Sequence, residues 1–568
     1  MIRWMAALSA LLLGASATTA AQTPNPWPAG EGPSLIVYSG NIVTLDKNND
    51  TVQALAVRDG KILAVGTDKE ILRLKTNATR LVNLQGKTVI PGIIDSHNHP
   101  SSQGMKLFWA DLSKPTSITG IVEMIGAQVK QAQPGQWVRN SGIWNDTKLT
   151  DKRNPTRFDI DPVSPNNPVF LDRGHMAVIN TEALRVLGIT KDTPNPPGGT
   201  FEKDPKTGEL TGRLYEKAIE PVRKHVPAAT PQQLEASEIE SLKEYAAAGV
   251  TSVRSAADSP AGMRAYIDLH NRGDLKLRVS VNILINPNMP AEDLEKMLAD
   301  SPVSSGLGDD MLRVWGIKMI ADGGSDLAYT RQHYVNRPDF FGQPGGTQEN
   351  FTRAVRLCNK YGWRVGIHAV GDAAVDMVLN AFEAANQDSS IVGKRFAIEH
   401  GYVLHPEQMD RIKQLGLVMN MQTWHLYNLR RNFLQNYGRA IADTSHNYQD
   451  LLRRGIPIAG GTDWTLEPSD NFKWMWVDIT RKTIDGEAVD PTQALTREQA
   501  LRFHTIWAAY NTFEENLKGT LEPGKLADMV VLSADYMHVP TDDIPKIAPL
   551  VTIVGGTVVF KKDNSVIQ

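Results

Sequence analysis

Six side chains in this sequence have the chemistry to share a divalent cation and act on a carbonyl. His97 and His99 stand two apart in DSHNHP, residues 95–100; Lys318 lies in GIKMIADGG, His368 in IHAVGD, His400 in IEHG and Asp463 in GGTDW. On an extended chain, side chains at i and i+2 point the same way, so both imidazoles of the first pair can reach one ion. Imidazole and carboxylate donors suit zinc or a similar divalent ion. Each residue alone also fits a hydrogen-bonded core position. Lys318 is the anomaly, because an unpaired ammonium among apolar neighbours is costly and tends to lose its charge. Four histidines, a lysine and an aspartate at the ends of five apolar runs fit metal binding better than a structural role.

Those runs belong to a set of eight: VIPGIID, GVTSVRS, LRVSVNIL, VWGIKMI, WRVGIHAV, RFAIEHG, LGLVMNM and GIPIAGG. Near-continuous apolar strands alternating with amphipathic helices predict a parallel sheet covered on both faces. Eight is the number that closes a (β/α)8 barrel, whose active groups sit at the C-terminal ends of its strands. Thr230 to Gln233 and Thr496 to Gln499 read as capping boxes that start helices. Cys358, the single cysteine, follows Phe351 and Val355 at helical spacing and reads as a buried core thiol.

The two ends have another texture. LIVYSG, NIVTLD, ALAVRDG and KILAVG near the start, and KLADMVVLS and VTIVGGTVVF near the end, read as short strands and hairpins. Neither segment alone is expected to carry a stable sheet, whereas together they build one small β-sandwich. Residues 1–21 read as a secretory signal peptide, with Arg3, a short apolar run and small residues to Ala21, which predicts a secreted or periplasmic protein. The expected organisation is therefore α/β: signal peptide 1–21, sandwich 22–88, barrel 89–515 and sandwich 516–568. Residues 101–230 interrupt the alternation after the first barrel strand, and they are too long for a structureless loop.

Composition bounds the function. The 568 residues are 41% hydrophobic and 22% charged, with a net charge of −3. That is an ordinary globular balance, with no basic block to capture nucleic acid and no later run long enough to insert stably in a membrane. A small-molecule substrate is the expected partner, and a homo-oligomer is compatible with the sequence.

PGIIDSHNHP, the split sandwich, the insertion, and GIKMIADGG, HAVGD, IEHG and GGTDW together resemble the metal-dependent amidohydrolase superfamily, in its YtcJ-like branch (amidohydrolase family 3). The resemblance runs from about Ser34 to the C-terminus. It implies His97, His99, His368, His400 and Asp463 as ligands of one or two divalent ions, with zinc the expected metal. It also implies N6-carboxylation of Lys318, which turns a costly cation into a bridging anion. Asn98 departs from the hydrophobic residue common at that place in relatives. The implied activity is hydrolysis of amide C–N bonds by metal-activated water, with Asp463 moving the proton and His400 and His368 holding a second ion or orienting the carbonyl. His175 of RGHMAVIN and Trp424 and His425 after the seventh run are expected in the wider pocket. For His175 a structural hydrogen bond is the alternative, and for Trp424 packing. An esterase, lactonase or cyclic deaminase uses the same chemistry, and a non-catalytic binding or regulatory protein is the reading of another class.

Overall fold

The computed structural model describes residues 32–463 and 470–562; the signal-peptide segment lies outside them. Seven of the eight apolar runs, and the IID of the first, become strands of one parallel sheet: β1 (Ile93–Asn98), β2 (Val250–Asp258), β3 (Arg278–Leu284), β4 (Leu312–Ile320), β5 (Val365–Ala369), β6 (Ala397–His400), β7 (Val418–Gln422) and β8 (Ile458–Gly461). They are laddered in sequence order, each parallel to the next. The VIP of the first run belongs instead to the sandwich strand Thr88–Pro91. The seam between β8 and β1 is held differently. Ser96 Oγ donates to Gly460 O at 2.6 Å, and the Asp463 N–H donates to His97 O at 2.6 Å. Gly461 permits this approach, since a Cβ there would lie 2.6 Å from His97 N.

Helices cover the barrel and bury Val, Leu, Ile and Phe side chains against the strands. Thr230 caps the helix Pro231–Ala247 and Thr496 caps Arg497–Phe503, both through the reciprocal side-chain bonds of a capping box. Cys358 is buried on the helix Gln348–Lys360 beside Phe351 and Val355.

The insertion after β1 contains a six-stranded sheet, in spatial order Gly199–Lys203, Leu210–Glu216, Met176–Ile179, Val169–Asp172, Val138–Ser141 and Ala110–Asp111. Alternation along a strand assigns its two faces to different cores: Val169 and Leu171 join Ile121, Ile125 and Trp144, whereas Phe170 joins Ile179, Leu184 and Val222.

The terminal segments form the sandwich, with one correction. The N-terminal segment builds a four-stranded sheet by itself, from Lys61–Gly66, Ala54–Arg58, Leu35–Tyr38 and Arg80–Asn83. Its last strand, parallel to Leu35–Tyr38, was not among the expected ones. The C-terminal segment joins the second sheet, where Met529–Leu532 runs antiparallel to Thr88–Pro91 with Val531 opposite Val89. Val37, Leu55, Val89, Met529, Val531 and Ile553 fill the space between the sheets.

Candidate active site

At the end of β1, His97 is buried and its Nδ1 lies 2.6 Å from Glu399 Oε2 on β6. Glu399 in turn accepts from Arg254 of β2 at 2.5 and 3.2 Å, and the guanidinium lies 3.8 Å over Trp315 of β4. Burial alone would raise the Glu399 carboxyl; Arg254, Lys318 and His97 outweigh it and hold the group ionised. An ionised acceptor at Nδ1 places the His97 proton there and leaves the Nε2 lone pair free to ligate an ion. Burial and the nearby Lys318 push the His97 pKa down to about 4, so the imidazole is neutral at neutral pH.

His400 is oriented by the same logic from β7. Gln422 Nε2 donates to Asn420 O and Oδ1 at 3.1 and 3.2 Å, which turns Gln422 Oε1 toward His400 Nδ1 at 2.6 Å. His400 therefore donates through Nδ1 and keeps Nε2 open. Its φ of +80° aims the ring over the strand end. Burial and the neighbouring histidines hold its pKa well below the usual range.

Asp463 stands two residues beyond β8, at φ +48°. Its Oδ1 lies 3.1 Å from His99 Nε2 and 3.7 Å from His97 Nε2, and its Oδ2 lies 3.5 Å from His425 Nε2. One donor atom each of His97, His400 and Asp463 falls within 4.8 Å of the other two. Two neutral imidazoles and a carboxylate, each imidazole engaged through its far nitrogen, fit a divalent ion of the zinc type.

The other expected residues surround these three at different removes. His99 lies one residue beyond β1, which ends at Asn98; its ring stands 5.6 Å from that of His97 at 76°, and the Nε2 atoms of both lie within 3.7 Å of Asp463 Oδ1. His99 reaches Asp463 from a more exposed position, outside the mutual reach of the three. His368 packs its ring 4.4 Å from His400 with Nε2 3.4 Å from Gly323 O. Lys318 is buried, its ammonium makes no hydrogen bond to a described residue, and burial lowers its pKa to about 8. His175 of the insertion bonds Glu216 at 3.0 Å, with its ring 5.6 Å from that of His368. Trp424 stacks on His425 at 4.1 Å in the short helix Thr423–Asn428 after β7.

Sequence reasoning missed the supporting residues. Glu399, adjacent to His400, had a signal: an acid inside a buried apolar strand. Asp322 had one too, in GIKMIADGG; it accepts three backbone N–H groups and lies 3.6 Å from His368 Nε2, with burial pushing its pKa up to about 7. Tyr402, whose hydroxyl bonds both His400 Nδ1 and His425 Nδ1, had none.

A single cavity of about 940 Å³ joins the strand-end residues to the insertion, with His97, Lys318, Asp463 and His425 on one wall and Arg139, Arg173 and His175 on the other. Residues 80–560 match the amidohydrolase family described as Amidohydro_3. An N-substituted formamide deformylase of Arthrobacter pascens is 27% identical over 94% of this chain and 99% of its own. The YtcJ protein of Bacillus subtilis (strain 168), whose name places it among amidohydrolases, is 26% identical over 93% of this chain and 99% of its own. An uncharacterised metal-dependent hydrolase from Pyrococcus furiosus superposes with a TM-score of 0.68 at 26% identity, covering 89% of this chain and all of its own. The chain therefore carries the fold of metal-dependent hydrolases and belongs to the amidohydrolase family, as an enzyme that hydrolyses carbon–nitrogen bonds.

Proposed function

We propose that this enzyme hydrolyses small-molecule amides at the barrel mouth, with Asp463 as general base and acid. The observation that carries the reading is the convergence of His97, His400 and Asp463 within 4.8 Å, with both imidazoles turned inward by Glu399 and Gln422. His97, His400 and Asp463 would hold a divalent ion, zinc by donor type, with His99, His368 and carboxylated Lys318 completing a site for one or two ions. Such an ion supplies a Lewis acid and a source of hydroxide at neutral pH.

The protein groups do the rest. Asp463 accepts a proton from the attacking water and delivers it to the leaving nitrogen. His425, 3.5 Å from Asp463 and stacked on Trp424, is placed to contact the substrate, and His175 faces the cavity from the insertion. Lys318 supports the carbamate reading through its own chemistry: burial lowers its pKa to about 8, which gives it an accessible neutral amine fraction. The amino-terminal segment supports export of the mature enzyme.

The reading is tested by loading purified protein with zinc and assaying N-substituted formamides, N-acyl amines and matched esters. Amide turnover that is abolished by chelation and restored by metal is the expected result. Turnover of esters alone, or amide turnover indifferent to chelation, would overturn it. Intact mass of exported protein should begin within a few residues of Gln22.

A further inference from the structure

The far wall of the cavity, supplied by the insertion, carries an unmatched positive charge. Arg139 lies on the strand Val138–Ser141, whose partner strand begins at Ala110; Asn140 pairs with Ala110, which sets Arg139 beside Trp109. The guanidinium lies 3.9 Å over the Trp109 ring, and both residues line the cavity. Its Nη1 donates to Pro227 O at 3.0 Å, while neither Nε nor Nη2 donates to a described residue.

The other charges of this wall are already matched. Arg223 grips Asp172 through two bonds of 2.9 and 2.8 Å. Arg173 lies 3.1 Å from Asp146 and 3.7 Å from Asp326, and Glu202 lies 3.2 Å from Arg213. No carboxylate of a described residue comes within 4.0 Å of Arg139. Burial depresses its pKa, the field of Asp172 offsetting this only in part and Arg223 adding to it. A partly buried guanidinium held flat on an indole, short of a counter-charge, is the arrangement that receives a carboxylate.

We propose that Arg139, backed by Trp109, binds a carboxylate on the substrate, remote from the scissile amide. This rests on the amide-hydrolase reading and adds the substrate class: amides whose far end is anionic. The cavity supports it by size. A formyl or acetyl group occupies a small part of about 940 Å³, and the same cavity is lined by Arg139 and Trp109 of the insertion and by Asp463 and His368 of the barrel, so the two ends of one molecule can meet different chemistry.

The test is calorimetric binding to the zinc-loaded enzyme of two matched pairs: N-formyl-6-aminohexanoate against N-formylhexylamine, and adipic acid monoamide against hexanamide. A charge-assisted hydrogen bond corresponds to roughly ten- to hundredfold in affinity. In at least one pair the carboxylate member should bind tighter by that factor, Arg139→Gln should bind both members alike, and Arg139→Lys should keep part of the preference. Trp109→Leu should weaken the preference, and it serves if Arg139→Gln does not fold. Equal affinity within both pairs, no measurable binding of either carboxylate, or a preference that survives Arg139→Gln or, in its place, Trp109→Leu would overturn the subsite. Because binding is read directly, a carboxylate that binds through Arg139 while the assayed esters alone are turned over removes the amidase reading and leaves the subsite standing.

Discussion

The barrel mouth and the terminal sandwich are buried to the same degree and built from opposite chemistry. Val37, Leu55, Val89 and Met529 in the sandwich are fully covered, and so are Arg254 and Glu399 beneath the mouth, with His97, Lys318 and His400 at 2% exposure or less. In the sandwich, burial is itself the stabilising term. At the mouth the same burial is a cost that partners must offset, and the partners are specific: Glu399 for Arg254 and His97, Gln422 for His400. Burial therefore does not distinguish a core from an active site; the hydrogen-bonding of the buried groups does. Lys318 is the exception, a buried ammonium with no hydrogen bond to a described side chain.

The comparison breaks most sharply at Glu399. Glu399→Gln leaves Arg254 buried without its counter-charge, which should cost about 3–5 kcal/mol, and removes the anchor of His97, lowering metal affinity about 10–100-fold. Denaturant unfolding and metal titration measure the two losses together; an unchanged unfolding midpoint would show that Glu399 is not the keystone of the layer beneath the mouth. Asp463→Asn acts at the mouth alone. It should fold normally, keep much of its metal and lose at least about a hundredfold in kcat on amides. Near-wild-type turnover by the metal-loaded variant would remove Asp463 from proton transfer.

In the sandwich the pattern inverts. Leu55→Ala empties a fully buried site between the two sheets and should lower stability by about 2–5 kcal/mol with kcat unchanged below the melting range. A fall in kcat with stability intact would join the sandwich to the chemistry. A pH-dependent effect concerns Glu238, fully buried on the helix Pro231–Ala247. Burial and the neighbouring Asp258 push its pKa up to about 8 from 4.5. The native state thus holds a proton that the unfolded chain releases. Its contribution to stability is complete below about pH 4.5 and is lost as pH rises through about 8. Melting curves across this range should flatten in Glu238→Gln; an equally steep decline in the variant counts against the assignment.

Much of this was legible in the residues. Seven of the eight apolar runs, and the end of the first, are the eight strands, because parallel strands covered on both faces must be apolar throughout. Thr230 and Thr496 start helices because their capping bonds are local. Strand-end histidines were legible because barrel topology converts position on a strand into position at the mouth. One failure has its origin in a short strand. Arg80–Asn83 exposes most of its residues and carries little apolar pattern, so its sheet was missed. The support of the site was hidden for another reason. Glu399 is 302 residues from His97 and 145 from Arg254, so only barrel closure brings them into one hydrogen-bonded layer.

Metal analysis paired with amide turnover, on wild type and His400→Ala, shows whether the ion of this hydrolase sits on His97, His400 and Asp463. Wild type should carry at least one divalent ion per chain, lose its turnover on chelation and recover it on adding zinc. His400→Ala should fold, lose metal and fail to recover at the same zinc concentration. Full metal content and wild-type turnover in His400→Ala would contradict the account.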